Sequence, residues 1–363
     1  MDEKFMRLAI ELANKGSGKV NPNPLVGAVI VKNGKIIGEG YHKIYGGNHA
    51  EVEAINNTND DLKGATIYVT LEPCYHYGKT PPCVDKIIEV CIARVVIGCL
   101  DPNPLVAGKS IEKLKNSSID VKVGVLEDEC KQMNEVFIKY ITTKKPFVVL
   151  KSAISLDGKI ATSSGESKWI TGEESRKEVH ILRNKLSSIM VGVNTVIKDN
   201  PSLTCNIEGG RNPIRIILDS NLRIPLESKI VSTALQYKTI IATTKKANCE
   251  KVLNLEKLGV KILYIDEINN KVDLNKLMIE LGKLNIDSIL LEGGGEVSFS
   301  ALESGIVDRI KLYVAPKIIG GKDSKTSVEG KGINLLEEAF KVENISTKII
   351  GSDILIDGYI KNS

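Results

Sequence analysis

Short apolar runs rich in β-branched residues alternate with helix-period stretches along nearly the whole chain. In the first block, strands are expected at 26–31, 35–40, 66–71, 94–99 and 121–125. The first two are joined across Asn33-Gly34 as a hairpin. Helices are expected at 3–14, 49–56, 84–91, 110–115 and 128–141. Thr142-Thr143-Lys144-Lys145-Pro146 is polar and ends in a helix breaker, and a new strand follows at 147–153. Thr171-Gly172-Glu173-Glu174 then matches a capping box and predicts a helix to about 186. Strands at 189–193, 213–219, 239–243, 260–265 and 288–291 and a helix at 274–284 continue the pattern, with closing strands at 308–314 and 353–360. Such alternation demands a mainly parallel sheet flanked by helices. A chain of 363 residues exceeds one average domain. The expectation is two α/β domains, 1–144 and 145–363.

Composition narrows the function classes. The net charge is +4 with both signs interspersed, and no basic face is concentrated enough for a nucleic-acid footprint. No apolar run is long enough to span a bilayer, and acidic residues precede any apolar stretch at the N-terminus, unlike a signal peptide. The seven cysteines are odd in number and scattered, which fits reduced thiols in a cytoplasmic protein. Cys91, Cys99 and Cys130 fall at apolar positions and are expected in the core.

The chemistry concentrates between His49 and Cys83. His49-Ala50-Glu51, Glu72-Pro73-Cys74 and Pro81-Pro82-Cys83 offer one imidazole and two thiolates. That donor set suits one zinc ion with a fourth position open, whereas a structural zinc usually takes four protein ligands and no fourth is evident. Glu51 is then free to carry protons. A lone H-x-E occurs by chance on many helices, and two cysteines alone could be core residues; the ordered combination is the H-x-E…P-C pattern of zinc-dependent deaminases. Residues two apart do not share a helix face, so His49 and Glu51 can serve one site only if His49 begins the helix. Cys74 ends a strand where a new helix is expected, and a helix N-terminus would hold its thiolate. Nucleic-acid deaminases carry P-C-x-x-C. Here the second cysteine comes after an inserted run from Tyr75 to Pro82, which should reshape the pocket. Downstream, Glu292-Gly293-Gly294-Gly295-Glu296 follows a buried strand and opens a helix. Its glycines would let backbone amides approach a phosphate, although it is not G-x-G-x-x-G.

The run E-P-C-x-H-x-G-K-T-P-P-C, with Asp101-Pro102-Asn103-Pro104 and Val106-Ala107-Gly108, resembles the bifunctional deaminase-reductases of riboflavin biosynthesis. K-S-A-I-S-L-D-G-K-I-A, S-K-W-I-T-G, G-x-N-T-V, D-N-P-S-L-T, N-P-I-R-I-I-L-D and L-E-G-G-G extend the resemblance over nearly the whole chain. It implies a cytidine-deaminase-like three-layer α/β/α domain followed by a dihydrofolate-reductase-like α/β domain. It implies Zn2+ on His49, Cys74 and Cys83, with Glu51 as proton shuttle. Asn23 and His42 would touch the first substrate, and His76, Lys79 and Thr80 its phosphate. Ala153, Trp169, Thr195, Asp199 and the loop Gly294, Gly295, Glu296 would touch NADPH. Lys151, Ser167, Arg183, Leu203, Asn206 and Glu292 would line the second substrate site.

The implied reactions are deamination of 2,5-diamino-6-(5-phosphoribosylamino)pyrimidin-4-one, then NADPH-dependent reduction of its ribosyl group. No side chain declares itself the reductase proton donor; Lys151 and Glu292 are the candidates. One position departs: where the family has L-T-x-R, this chain has Leu203-Thr204-Cys205-Asn206. Asn206 cannot make a charge-assisted phosphate contact, which leaves that load to Arg183, Lys151 or Arg211. Partners are expected to be small molecules and a second copy of the chain (dimer or tetramer), with no nucleic acid and no membrane. Three alternatives stay open: a nucleic-acid base deaminase with an appended domain, a zinc-stabilised binding module, and a chain with one active half.

Overall fold

A computed structural model describes residues 1–75, 81–103 and 107–361. The chain divides into two compact units, Met1–Lys144 and Lys145–Ser363.

Unit 1 runs α1 (Asp2–Asn14), β1 (Gly27–Lys32), β2 (Lys35–Tyr41), α2 (Ala50–Asn56), β3 (Thr66–Leu71), α3 (Cys83–Glu89), β4 (Arg94–Cys99), α4 (Lys109–Asn116), β5 (Asp120–Val123), α5 (Glu127–Met133) and α6 (Glu135–Thr143). Its sheet has the order β2-β1-β3-β4-β5. The β1–β2 hairpin and the β1–β3 pair are antiparallel, and β3, β4 and β5 are parallel. β3 and β4 are buried almost throughout, as strands covered on both faces must be. Helix α1 packs on β1 and β3 and meets α5, whereas α2 packs on β1 and β2 and meets α3. Gly40 permits the second docking: a Cβ there would lie 2.3 Å from the Ala54 amide nitrogen. The helix expected at 128–141 is two helices. Asn134 breaks it because its side chain accepts from the Leu25 amide at 2.8 Å and donates to the Leu25 carbonyl at 2.9 Å. Cys99 and Cys130 are buried, but Cys91 is exposed with a φ of 58°, a turn residue rather than a core one.

Unit 2 runs β6 (Phe147–Ser155), α7 (Glu173–Lys185), β7 (Ser188–Gly192), α8 (Val193–Asp199), β8 (Ile214–Leu218), α9 (Lys229–Ser232), β9 (Thr239–Thr243), α10 (Cys249–Lys257) and β10 (Val260–Tyr264). A small ladder, β11 (Glu267–Ile268) with β12 (Lys271–Val272), precedes α11 (Leu274–Lys283), β13 (Ser288–Leu291), α12 (Gly295–Glu303), β14 (Arg309–Ala315), β15 (Val342–Ile350) and β16 (Asp353–Ile360). The main sheet has the order β10-β9-β8-β7-β13-β6-β14-β16-β15 and is parallel from β10 to β14. Period-two alternation splits its core. Leu150, Met190, Ile216, Ala242 and Leu291 face one cluster, and Val191, Ile217 and Ile241 face the other. The expected capping box does not form. Gly172 is the N-cap of α7, and Asp353 of β16 accepts from the Gly172 amide at 2.7 Å and the Ser175 hydroxyl at 2.6 Å. A carboxylate distant in sequence therefore replaces the expected local cap. Among the described residues no helix is long and apolar enough to cross a membrane.

Candidate functional sites

The first site stands at the carboxyl end of β3. His49 is the N-cap of α2 in extended conformation, so its imidazole leaves from the helix start while Glu51 occupies the first turn. No helix begins at Cys74. The helix that serves its sulfur begins at Cys83, whose amide donates to Cys74 Sγ at 3.2 Å. His49 Nδ1 lies 3.2 Å from Cys83 Sγ and 3.4 Å from Cys74 Sγ, and the three donor atoms lie within 4.8 Å of one another. Tetrahedral bonds of zinc to nitrogen and sulfur put donor atoms about 3.6 Å apart, so the cluster fits that ion.

Electrostatics point the same way. The hydrogen bond from Cys83 draws the Cys74 thiol down to about 4, with His49 adding to it against burial. The Cys83 thiol is pushed up because it donates to Cys74 and is buried. The Cys74 contact outweighs burial at His49 and raises it to about 8. Glu51 is 3 % exposed, and burial raises its carboxyl to about 7.

Asn23 and His42 come to the same place. His42 Nδ1 faces the Asn48 carbonyl at 2.9 Å, and its Nε2 faces Asn23 Nδ2 at 3.2 Å. The carbonyl requires a proton on Nδ1, which leaves Nε2 as the acceptor. The His42 ring meets the His49 ring edge-on at 5.6 Å. His76, Lys79 and Thr80 lie outside the described residues. Sequence reasoning missed Glu72, a buried acid that accepts from Ser110 Oγ at 2.6 Å, the Gly108 amide at 2.9 Å and the Asp101 amide at 3.4 Å. It ties the chain after β4 to the strand end that carries Cys74. An acid closing the apolar run Thr66–Leu71 was the available signal.

Unit 2 holds two adjoining features. One is a buried charge cluster. Arg183 grips Glu292 with two bonds of 3.0 Å, Lys151 Nζ stands 3.9 Å from the same carboxylate, and Arg183 also donates to the Thr204 carbonyl at 3.0 Å. Burial pushes the Glu292 carboxyl up, but Arg183 and Lys151 together outweigh it and bring it to about 2. Burial also lowers Lys151. Two cations against one anion leave the cluster net positive, which favours an anionic ligand.

The other feature is a cleft of about 680 Å³ at the carboxyl ends of β7, β8 and β13. Thr195, Asp199, Gly294, Gly295, Glu296 and Ser167 line it. Gly294 is the N-cap of α12, and a Cβ there would meet open space. Gly295 is required for another reason: a Cβ would lie 2.7 Å from the Thr326 carbonyl. The cleft thus fits a phosphate-bearing cofactor.

Other expected residues lie elsewhere. Ala153 packs with Tyr313 and Leu355, and Trp169 is exposed with Arg176 over its ring at 4.7 Å. Leu203 is buried in the core with a φ of 55°. Asn206 is exposed, its amide donating to His180 Nδ1 at 3.2 Å. Arg211 has Asp287, at the start of β13, as its charged neighbour, whereas Glu292 follows the far end of that strand. It does not join Arg183 and Lys151.

Residues 1–99 match the family described as cytidine and deoxycytidylate deaminase zinc-binding region, and residues 146–356 match the RibD C-terminal domain. The riboflavin biosynthesis protein RibD of Actinobacillus pleuropneumoniae is 51 % identical over 98 % of this chain and 94 % of its own length. The Aquifex aeolicus protein of that name is 47 % identical over 98 % of both. Among solved structures, RibD of Acinetobacter baumannii matches with a TM-score of 0.88 at 36 % identity over 99 % of both chains. A Thermotoga maritima diaminohydroxyphosphoribosylaminopyrimidine deaminase/5-amino-6-(5-phosphoribosylamino)uracil reductase matches with 0.87 at 41 %, again over 99 % of both.

Proposed function

The chain belongs to the family of the riboflavin biosynthesis protein RibD, and from that membership we infer how its residues divide the work. It is a bifunctional deaminase and reductase of riboflavin biosynthesis, with a zinc-binding deaminase domain. The deaminase substrate is 2,5-diamino-6-(5-phosphoribosylamino)pyrimidin-4-one, and its product, 5-amino-6-(5-phosphoribosylamino)uracil, is reduced to the ribitylamino compound with NADPH. The observation that carries the first step is the convergence of His49, Cys74 and Cys83 beside buried Glu51.

His49, Cys74 and Cys83 would hold the zinc, which would supply a water acidified toward neutrality. Glu51 takes one proton of the attacking water and passes it to a ring nitrogen, then takes the second from the added hydroxyl and passes it to the departing amine. The oxygen adds at C2, the bond to the exocyclic nitrogen breaks, and ammonia leaves. His42, fixed by the Asn48 carbonyl, accepts from Asn23 at Nε2 and so orients the Asn23 side chain for the substrate.

In unit 2 the residues lining the cleft and the backbone at the start of α12 would hold a phosphate-bearing dinucleotide, which would supply hydride to C1 of the ring-opened ribose. The net-positive cluster of Lys151, Arg183 and Glu292 holds the ribose phosphate substrate. Lys151, its charge disfavoured by burial, is the better placed of the two candidates to give up a proton.

The test is a product assay on the zinc-loaded chain with and without NADPH, following ammonia and product mass. Ammonia without NADPH, and reduction only after NADPH is added, is the expected result. Ammonia with no reduction would confine activity to unit 1; no ammonia would sink the substrate assignment.

A further inference from the structure

Residues Pro201 to Asn206 form neither helix nor strand, and among the described residues none of them exchanges a backbone-to-backbone hydrogen bond with another part of the chain. Side chains hold the segment instead. Arg215 donates to the Ser202 carbonyl at 3.3 Å, Arg183 to the Thr204 carbonyl at 3.0 Å, and the Cys205 amide donates to Asn212 Oδ1 at 2.8 Å. Leu203 is buried with a left-handed φ of 55°, which a leucine keeps only where its surroundings impose it.

Two further ties come from His180. It lies on α7 one turn before Arg183 and so on the same face of the helix. The Cys205 thiol donates to the His180 carbonyl at 3.5 Å, and the Asn206 amide donates to His180 Nδ1 at 3.2 Å. An amide can give its proton only to a bare nitrogen, so the ring carries its own proton on Nε2. The charged groups around the ring are Arg183 on its own helix, Lys151 of β6 and Glu292 after β13, the members of the buried cluster. Burial makes the ring less basic than an ordinary histidine, Arg183 and Lys151 add to this, and Glu292 opposes it.

We propose that His180 is a positioning residue of the reduction: its Nδ1 fixes the chain from Leu203 to Asn206 against the cluster of Lys151, Arg183 and Glu292, and so shapes the wall on which the phosphorylated substrate rests. Asn206 takes part through its backbone amide, so the departure from arginine at that position leaves this tie intact. Protonation of Nδ1 would set a donor against a donor and release the segment. Histidine is the side chain whose ordinary charge change falls between pH 5 and 8. The arginines and the asparagine that hold the rest of the segment keep their state over that range. Substrate binding in the reductase half should therefore weaken on acidification.

The proposal rests on the reading of the buried cluster as the reductase substrate site, and the test separates the two. Steady-state reduction of the pre-formed deaminated substrate is measured on the full zinc-loaded chain. Near neutral pH, His180→Phe is expected to raise KM about five- to tenfold and to leave kcat within about twofold. His180→Asn puts an oxygen where Nδ1 stood and should bring KM back to within about twofold of the wild type, whereas His180→Gln, whose polar atoms lie out at the Nε2 position, should not. Between about pH 7.5 and 5.5 the wild-type KM should rise relative to that of His180→Asn, whose amide does not titrate; this comparison cancels the titration of the substrate phosphate. Deaminase kinetics should match the wild type in every variant. If His180→Phe melts early, the contrast of Asn with Gln and the pH profile decide. An unchanged KM in a stable His180→Phe, rescue by Gln and not by Asn, or a wild-type pH profile that matches or falls below that of His180→Asn overturns the assignment while leaving the cluster reading intact. Arg183→Lys, which loses the two-pronged grip, should raise KM about tenfold or more. No change in that variant overturns the cluster reading and the inference together.

Discussion

The two sites differ in how much chain each needs. The metal cluster is gathered from two helix starts and one strand end, all between His49 and Cys83. The second site draws on loops after β6, β7, β8 and β13 and on the segment that reaches Glu329. The first concentrates neutral and thiol donors that need an ion to satisfy them. The second neutralises its own acid with two cations and keeps charge in reserve. A site that awaits a metal can be short and motif-like, because the ion supplies the convergence. A cleft lined from several strand ends must be assembled by the sheet.

The sharpest way to test that division is to disable one site and read the other. Glu51→Gln should lower deaminase turnover by about 10² to 10⁴-fold, with zinc content by atomic absorption and reductase activity unchanged. A parallel fall in reduction of pre-formed deaminated substrate would break the separation.

The next largest effect belongs to the buried cluster. Glu292→Gln strands Arg183 and Lys151 and should cost about 3–5 kcal/mol of unit 2 stability at pH 7. The folded carboxyl stands at about 2, below its ordinary 4.5. A group depressed in this way contributes fully above about 4.5 and loses its contribution as pH falls toward 2. The gap between variant and wild type in urea midpoints should therefore narrow over that interval. A gap that stays constant down to pH 2 would mean that packing, not charge, holds the cluster.

Glu72→Gln should be milder. The amide keeps one acceptor for the Gly108 and Ser110 donors, and deaminase kcat/KM should fall about 10 to 100-fold while zinc is retained. Zinc loss in this variant would place Glu72 in metal retention instead. Smallest is Asn206→Arg. At this exposed position a new guanidinium should lower the reductase KM by no more than about tenfold. No change would mean that Arg183 and Lys151 already carry the phosphate.

Much of the fold was legible. β3, β4, β9 and β13 begin and end where β-branched, apolar runs do, because strands buried on both faces tolerate little else. β15 was not legible. It is an exposed edge strand with Ile345 and Ile349 on the surface, so no burial pattern marks it. Nor was the break at Asn134, which depends on Leu25, far away in sequence. In the first site, residue types and their order sufficed to suggest the donors. In the second, Lys151, Arg183 and Glu292 are ordinary charged residues until β6, α7 and β13 bring them together.

The sequence by itself determined the alternation of elements, the break near Pro146 and a candidate set of metal donors, because periodicity and side-chain chemistry are local properties. Tertiary structure alone decided that Asp353 caps α7 and that Arg211 lies away from Glu292 while Arg183 grips it. Each of those depends on contacts between residues far apart in the chain, which no local pattern encodes.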